Sequence, residues 1–269
     1  MIARSYLFVP GDRPDRYGKA LAAGADAVII DLEDAVAAEA KAGARARLLA
    51  WAQADRAAAG SVYVRINGAG TPDFVADLAT VRDAAIAGVV LSKVEEARQV
   101  ASVRALIPAA RVIALVESAR GIDAVEAICA APGVERLGFG SLDYANDLGL
   151  EGDPEPGLAY AESRMAVASR VAGIAAPVAG VTTALDDAER LQRDLARSRS
   201  LGFGAKLCIH PRQVAIVNAA FRPSAAEVEW ARRVEAAVAS GAGAVQVDGR
   251  MVDRPVILRA RDILDRAGL

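Results

Sequence analysis

Eight short runs of aliphatic and β-branched residues recur along the chain, and segments with helical character separate them. Most of the runs are continuously apolar, which is typical of parallel strands covered on both faces. A strand–helix unit repeated eight times within 269 residues predicts a closed (β/α)8 TIM barrel of the α/β class. The predicted strands are Tyr6–Val9, Ala27–Asp31, Val62–Ile66, Gly88–Lys93, Val112–Glu117, Arg136–Gly140, Pro177–Val181 and Lys206–Ile209.

An open, doubly wound sheet is the structural rival. Such a sheet usually carries a glycine-rich phosphate loop after its first strand, but the segment Val9–Pro14 matches neither common phosphate-loop pattern. The barrel is therefore the favoured fold. We expect the barrel domain to cover residues 1–240 and a short C-terminal extension to cover residues 241–269.

The composition excludes several classes of protein. Lys and Arg total 32 against 34 Asp and Glu, and this balance argues against a nucleic-acid binder. The sequence begins without the pattern of a signal peptide, and its longest uncharged stretch is too short to span a bilayer, so we expect a cytoplasmic protein without membrane contact. The two cysteines, Cys129 and Cys208, lie in apolar segments and are predicted to be buried thiols.

Polar residues follow most of the predicted strands. Because the active site of a TIM barrel lies at the carboxyl ends of its strands, these residues should surround one mouth. A single polar residue at such a position can simply end its strand, but the set supplies several carboxylates and a guanidinium. The set is Asp31, Glu33, Arg65, Asn67, Lys93, Glu95, Glu117, Asp143 and His210.

Glu117 and Asp143 are the strongest candidates for a metal site. Glu117 directly follows a buried strand, where a lone carboxylate is costly unless it is paired or bound to a metal. Asp143 lies one strand–helix unit later, so the two acids should top neighbouring strands. Two oxygen ligands with room for water and substrate suit Mg2+, whereas a single histidine and poorly placed thiols argue against zinc.

Two further residues of the mouth have alternative interpretations. Arg65 offers a planar fork for a carboxylate or a developing enolate, or it forms an ion pair with Asp31 or Glu33. His210, directly before Pro211, is interpreted as a structural or wall residue. No nucleophile–His–Asp arrangement stands out, which disfavours hydrolysis by a catalytic triad.

Several blocks in order along the chain resemble the citrate lyase beta-subunit family, the CoA-ester lyases related to malyl-CoA and citramalyl-CoA lyases. The departures are Ser118 after the glutamate, where the family often has threonine, and Ser92 before the lysine, where a proline is common. The matching blocks are Arg4–Gly11, Asp26–Val36 with Lys41 and Arg45, Val64–Asn67, Lys93–Glu95, Gly138–Asp143 and Lys206–Pro223.

The resemblance implies an Mg2+ site at Glu117 and Asp143, with Arg65 binding the keto-acid portion of the substrate and taking part in catalysis. It also implies a catalytic aspartate, matched by Asp253, that a neighbouring subunit delivers from its C-terminal segment. The protein would then be a homo-oligomer, a trimer or a dimer of trimers. The expected substrate-binding residues are Arg65, Glu117, Asp31, Glu33, Gly140 and Ser141.

Coenzyme A, as part of the substrate, is expected near the first loop, where Arg13, Arg16 and Lys19 could meet its phosphates. The predicted function is an Mg2+-dependent lyase that cleaves or forms a β-hydroxyacyl-CoA such as malyl-CoA, citramalyl-CoA or citryl-CoA. Three alternatives stay open: a CoA-free 2-keto-acid aldolase, a malyl-CoA thioesterase, and a non-catalytic subunit of a citrate lyase-like assembly.

Overall fold

The computed structural model describes residues 3–151, 155–239 and 246–269. Within these ranges, eight parallel strands form a closed barrel in chain order, which confirms the predicted TIM barrel. The first strand closes the barrel by pairing with the second, Tyr6 opposite Ala27, and with the eighth, Ser5 opposite Lys206. The strands are β1 (Ser5–Pro10), β2 (Ala27–Asp31), β3 (Val62–Ile66), β4 (Gly88–Leu91), β5 (Arg111–Val116), β6 (Val134–Phe139), β7 (Ala175–Ala179) and β8 (Ala205–Cys208).

Helices follow the strands, with short 3-10 turns at Pro14–Arg16 and Ala38–Ala40. A small hairpin, β9 (Gln246–Val247) and β10 (Arg250–Met251), precedes the last helix. The helices are α1 (Tyr17–Leu21), α2 (Lys41–Ala54), α3 (Arg56–Ala59), α4 (Phe74–Asp83), α5 (Ala97–Leu106), α6 (Ala119–Asp123), α7 (Val125–Cys129), α8 (Ser141–Asp147), α9 (Glu155–Ala172), α10 (Ala188–Ser200), α11 (Pro211–Ala220), α12 (Ala225–Ala239) and α13 (Arg254–Ala267).

The inward-facing side chains of the strands fill the barrel. Successive side chains of a strand point to opposite faces, so each strand contributes every second residue to the interior. This interior is a packed core rather than a pore, and it supports the mouth from below. Its buried members are Tyr6, Ala27, Ile29, Tyr63, Val90, Ile113, Leu115, Val178, Ala205 and Leu207.

The contacts divide the chain into two compact units, residues 1–218 and residues 219–269. The second unit has its own apolar cluster, in which α12 and α13 pack together with Val247 of the hairpin. The division therefore falls before α12, whereas the sequence placed the end of the barrel domain after that helix, at residue 240. The predicted boundary itself lies outside the described residues.

Two expectations about the chain as a whole concern its thiols and its apolar segments. Both cysteines are buried and unpaired, as predicted. Among the described residues, no helix combines the length and the hydropathy that a bilayer crossing requires.

Candidate active site

On three strands, the row of side chains that faces the barrel interior ends in an ionisable side chain, at the mouth formed by the carboxyl ends of the strands. Asp31, Arg65 and Glu117 continue the inward rows of β2, β3 and β5, because side chains two residues apart share a face. The interior core holds the residue two positions before each of them: Ile29, Tyr63 and Leu115. The alternation of side-chain direction along each strand thus explains why these three side chains point into one site.

Arg65 is held by carboxylates on the neighbouring strand and loop. Its Nε and Nη2 donate to the two oxygens of Asp31 at 2.7 and 2.6 Å, and its Nη1 lies 2.9 Å from Glu33 Oε2. The guanidinium also stacks over the Phe8 ring, 4.9 Å from its centroid. These carboxylates raise the pKa of Arg65 above its ordinary value, although burial opposes this. Since a guanidinium carries five N–H groups, donors are left over for a ligand.

Lys93 links this cluster to Glu117. Its ammonium group donates to Glu33 Oε1 at 2.7 Å, and its backbone N–H donates to Glu117 Oε1 at 2.9 Å. To make both contacts, Lys93 adopts a left-handed backbone conformation with φ of 54°, which is uncommon for a residue with a side chain. The pKa of Glu33 is raised because its burial outweighs the attraction of Arg65 and Lys93. The uncommon backbone conformation of Lys93 therefore lets one residue contact two carboxylates, those of Glu33 and Glu117.

The Glu117 carboxylate lies against a glycine. A Cβ atom at Gly140 would stand 2.5 Å from Glu117 Oε2 and 2.6 Å from its Cγ, so any side chain there would displace the carboxylate. Glu117 itself is only 4% exposed. The Glu117 carboxylate thus occupies the space that a side chain at position 140 would need, which explains the glycine at this turn.

Glu117 has no ion-pair partner within 4 Å among the described residues. Its pKa is raised to about 8, chiefly by burial and also by the charges of Glu33 and Asp143, while the Lys93 N–H opposes the shift. A bound cation would remove this penalty, because it would offset the charge that burial disfavours.

Asp143 stands in the first turn of α8, two residues after Ser141, and its side chain is exposed. No group of three or more His, Cys, Asp or Glu side chains that could hold a metal is found in the described part of the chain. Two carboxylates fit Mg2+, which usually keeps several waters and completes its shell with substrate oxygens. Glu117 and Asp143 therefore remain our predicted ligands.

A network behind β2 and β3 orders the segment that holds Arg65. The Lys41 ammonium donates to the carbonyls of Leu32 and Glu33 at 3.0 and 2.9 Å and to Asn67 Oδ1 at 2.7 Å. Asn67 in turn donates to the buried carboxylate of Asp77 from its backbone and its side chain. Sequence reasoning placed Asn67 at the mouth and gave Lys41 no role, because bonds to backbone carbonyls leave no sequence pattern.

The three cations expected to meet CoA lie on one short segment after β1. Arg13, Arg16 and Lys19 are all exposed, and Arg13 forms an ion pair with Asp15 at 3.0 Å. The loop before them is fixed to the mouth, since Gly11 donates its N–H to the Asp31 carbonyl at 2.8 Å. Their role in binding CoA stays a prediction.

Two further predicted residues have structural roles of their own. Asp253 belongs to the second unit and caps the N-terminus of α13, accepting the Val256 N–H at 3.3 Å. His210 Nδ1 accepts the Arg212 N–H at 3.1 Å, which is consistent with a structural role in this turn. The catalytic role of Asp253 in another subunit stays a prediction.

The barrel and its mouth can now be compared with known proteins. The model of the HpcH/HpaI aldolase/citrate lyase family matches residues 4–211, and the model described as C–C bond lyase of the TIM-barrel fold matches residues 163–269. The chain is 40% identical to the citrate lyase subunit beta-like protein of Deinococcus radiodurans, over 98% of this chain and 96% of that protein. The chain belongs to the HpcH/HpaI aldolase/citrate lyase family.

Other relatives show the range of this family. The (3S)-malyl-CoA thioesterase of Cereibacter sphaeroides is 35% identical, over 98% of this chain and 94% of that protein. The structure of CitE from Mycobacterium tuberculosis in complex with magnesium, acetoacetate and coenzyme A is 36% identical, with a TM-score of 0.87 over 99% of this chain and 98% of that chain. The resemblance to the citrate lyase beta-subunit family is thus confirmed.

Proposed function

We propose that this protein is an Mg2+-dependent lyase that cleaves, or in reverse forms, a β-hydroxyacyl-CoA to give an acyl-CoA and a 2-keto acid. The observation that carries the proposal is the buried carboxylate of Glu117, which has Asp143 as its neighbour and lies at the same mouth as the fixed guanidinium of Arg65. A cation site beside a carboxylate-binding arginine suits a substrate with a hydroxyl and a carboxylate on adjacent carbons.

Each residue of the proposed site has its own role in the cleavage. When bound, Mg2+ would supply Lewis acidity at the hydroxyl and carboxylate oxygens of the substrate. Arg65 holds the carboxylate that becomes part of the keto acid. Asp253 of a neighbouring subunit takes the proton of the β-hydroxyl, and the electrons of the breaking C–C bond pass to the α-carbon of the acyl-CoA as an enolate. The proton that Asp253 took is then returned to that carbon, which completes the acyl-CoA product and regenerates the Asp253 carboxylate.

The CoA portion is assigned to the segment after β1. Arg13, Arg16 and Lys19 put three positive charges on an exposed surface next to the loop that Gly11 fixes to Asp31. Cations of this kind attract the phosphates of CoA. The M. tuberculosis relative was solved in complex with coenzyme A, which supports a CoA ester as the substrate.

A thioesterase is the second candidate function, because a relative of 35% identity is a malyl-CoA thioesterase. In that reaction the same mouth would orient a water molecule toward the thioester carbonyl. The two functions give different products from malyl-CoA: the lyase gives acetyl-CoA and glyoxylate, and the thioesterase gives malate and free CoA.

A screen of the purified protein tests the proposal. Malyl-, citramalyl- and citryl-CoA are each supplied with Mg2+ or with a chelator, and the keto acid, the acyl-CoA and free CoA are measured separately. We expect one of the esters to give a keto acid and an acyl-CoA only with Mg2+. Free CoA without keto acid would identify the thioesterase, and turnover that survives chelation would contradict the metal assignment.

Asp253 needs a control because it also caps α13. Asn and Ser cap helices about as well as Asp, so Asp253→Asn and Asp253→Ser keep the helix but remove the proton acceptor. Both variants are expected to lose lyase activity while keeping the thermal stability of the wild type. A variant that stays folded and fully active would exclude Asp253 as the base.

A further inference from the structure

Lys206 is buried on the outer side of the barrel. Its neighbours in β8, Ala205 and Leu207, belong to the interior core, so Lys206 points to the opposite face of the sheet. The residue is only 3% exposed. Burial lowers the pKa of its ammonium group to about 8. An apolar side chain of similar size would avoid this desolvation, so the lysine calls for a specific reason.

The contacts of the ammonium group supply that reason. Lys206 Nζ donates to the carbonyl of Gly180 at 2.6 Å, its only hydrogen bond within the described residues. The nearby carboxylates of Asp194 and Glu162 accept from arginines on α10 instead. The strongest contact of the buried charge is therefore a backbone carbonyl just beyond the end of β7.

Gly180 packs directly against the turn that carries the predicted metal ligand Asp143. A Cβ atom at Gly180 would collide with the Ser141 hydroxyl and would stand 3.0 Å from both Ser141 Cβ and the Phe139 carbonyl. Ser141 begins α8, so Asp143 follows within the same helical turn. The position of the Gly180 backbone thus limits where this turn can lie.

We propose that Lys206 is a positioning residue for the metal site and acts through Gly180 and Ser141 on the turn that carries Asp143. The proposal rests on the proposed function, because it assumes that Asp143 binds Mg2+. Lys206 holds the Gly180 carbonyl from outside the sheet, and Gly180 supports Ser141 from the side of β7. Without the ammonium group, the segment after β7 can relax, and the turn before Asp143 loses its support.

A cavity beside Lys206 allows a test that general destabilisation would not mimic. The cavity has a volume of about 280 Å3, and Lys206, Ser141, Thr182 and Ser198 are among its lining residues. Truncation of Lys206 to alanine would enlarge this space next to the Gly180 carbonyl. A small alkylammonium ion could then replace the lost ammonium group.

The experiment measures Mg2+ affinity by titration calorimetry without substrate, for the wild type, Lys206→Met and Lys206→Ala. Loss of a group that orients a metal ligand typically weakens metal binding about 10- to 100-fold, which is the expected effect of both changes. Added n-propylammonium should restore much of the affinity of Lys206→Ala but not of Lys206→Met, whose side chain fills the space. Ser198→Ala is the matched control, because Ser198 lines the same cavity but its hydroxyl donates to the Asp194 carbonyl. The Mg2+ affinity of this variant should stay within twofold of the wild type.

The outcomes separate this inference from the proposed function. A folded Lys206→Met protein that binds Mg2+ as tightly as the wild type overturns the role of Lys206. If the Lys206 variants do not fold, Gly180→Ala decides instead, since it keeps the lysine and displaces Ser141: weakened Mg2+ binding supports the inference, and unchanged binding overturns it. A wild type that does not bind Mg2+ at all refutes the proposed function, and the inference with it.

Discussion

Replacing Glu117 with glutamine is expected to stabilise the metal-free protein, although it removes a predicted metal ligand. The carboxyl is buried, and its pKa rises from 4.5 in the unfolded chain to about 8 in the folded one. At pH 7 the folded protein must therefore keep a proton that the unfolded chain has released, which costs about 3 kcal/mol of stability. Glutamine is neutral in both states, and its amide oxygen can still accept the Lys93 N–H.

The predicted gain depends on pH in a definite direction. An acid with a raised pKa in the folded state loses stability as the pH rises, so the metal-free wild type should weaken between pH 4.5 and about 8 and then level off. The variant lacks this dependence. For a chain of this size, a gain of about 3 kcal/mol corresponds to a rise in Tm of roughly 6 to 12 °C at pH 7.

Thermal unfolding in chelator, followed by circular dichroism at several pH values, provides the assay. Asp143→Asn is the matched control, because Asp143 is exposed and its replacement should change the metal-free stability by less than about 1 kcal/mol. Saturating Mg2+ should raise the Tm of the wild type but not that of Glu117→Gln. A variant that is no more stable than the wild type at pH 7, or whose advantage does not grow with pH, would refute the account of Glu117.

Three other predictions follow from the same site. Mg2+ binding at pH 7 should release about one proton, because Glu117 is protonated in the metal-free protein. Calorimetry in buffers of different ionisation enthalpy measures the number of protons released. A binding enthalpy that does not depend on the buffer would contradict this prediction. Inactive Glu117→Gln and Asp253→Asn proteins, mixed and reassembled, should regain about a quarter of wild-type activity if each site combines two subunits, since random pairing leaves that share of sites intact. No recovery would place both groups in the same subunit. Charge reversal at Arg13 and Lys19 should raise KM for the CoA ester several-fold with little change in kcat. Equal KM values in the wild type and the variant would show that this segment does not bind CoA.

The fold could be predicted because a parallel barrel repeats one signal eight times. Each strand is buried on both faces and reads as an apolar run, so its approximate position is visible in the sequence. The predicted ends of the strands were less accurate, because hydrogen bonding with the neighbouring strands determines where each strand ends. The fourth strand, predicted to continue to Lys93, ends at Leu91, and Lys93 lies in a left-handed turn that only its contacts with Glu33 and Glu117 explain.

The sequence could indicate which side chains come together at the mouth, because that depends on strand direction, but it could not indicate which side chains pair with one another; their functional roles stay predictions. The rule that active sites lie at the carboxyl ends of barrel strands identified Asp31, Arg65 and Glu117. It could not indicate that Arg65 is bound by two carboxylates at once, although an ion pair was one of the interpretations. Lys206 escaped notice for another reason: a lysine inside a strand looks exposed, and only the packed helices reveal its burial.

The carboxylates around Arg65 also bear on the order in which the proposed ligands should bind. Four acidic side chains, Asp31, Glu33, Asp34 and Asp143, share the mouth with the cations of Arg65 and Lys93, and Glu117 adds a further negative charge when it ionises. An anionic keto acid approaching the metal-free protein therefore meets a field that repels it, even though an arginine is present. We therefore expect the metal to bind first and the acid to bind much more weakly in its absence.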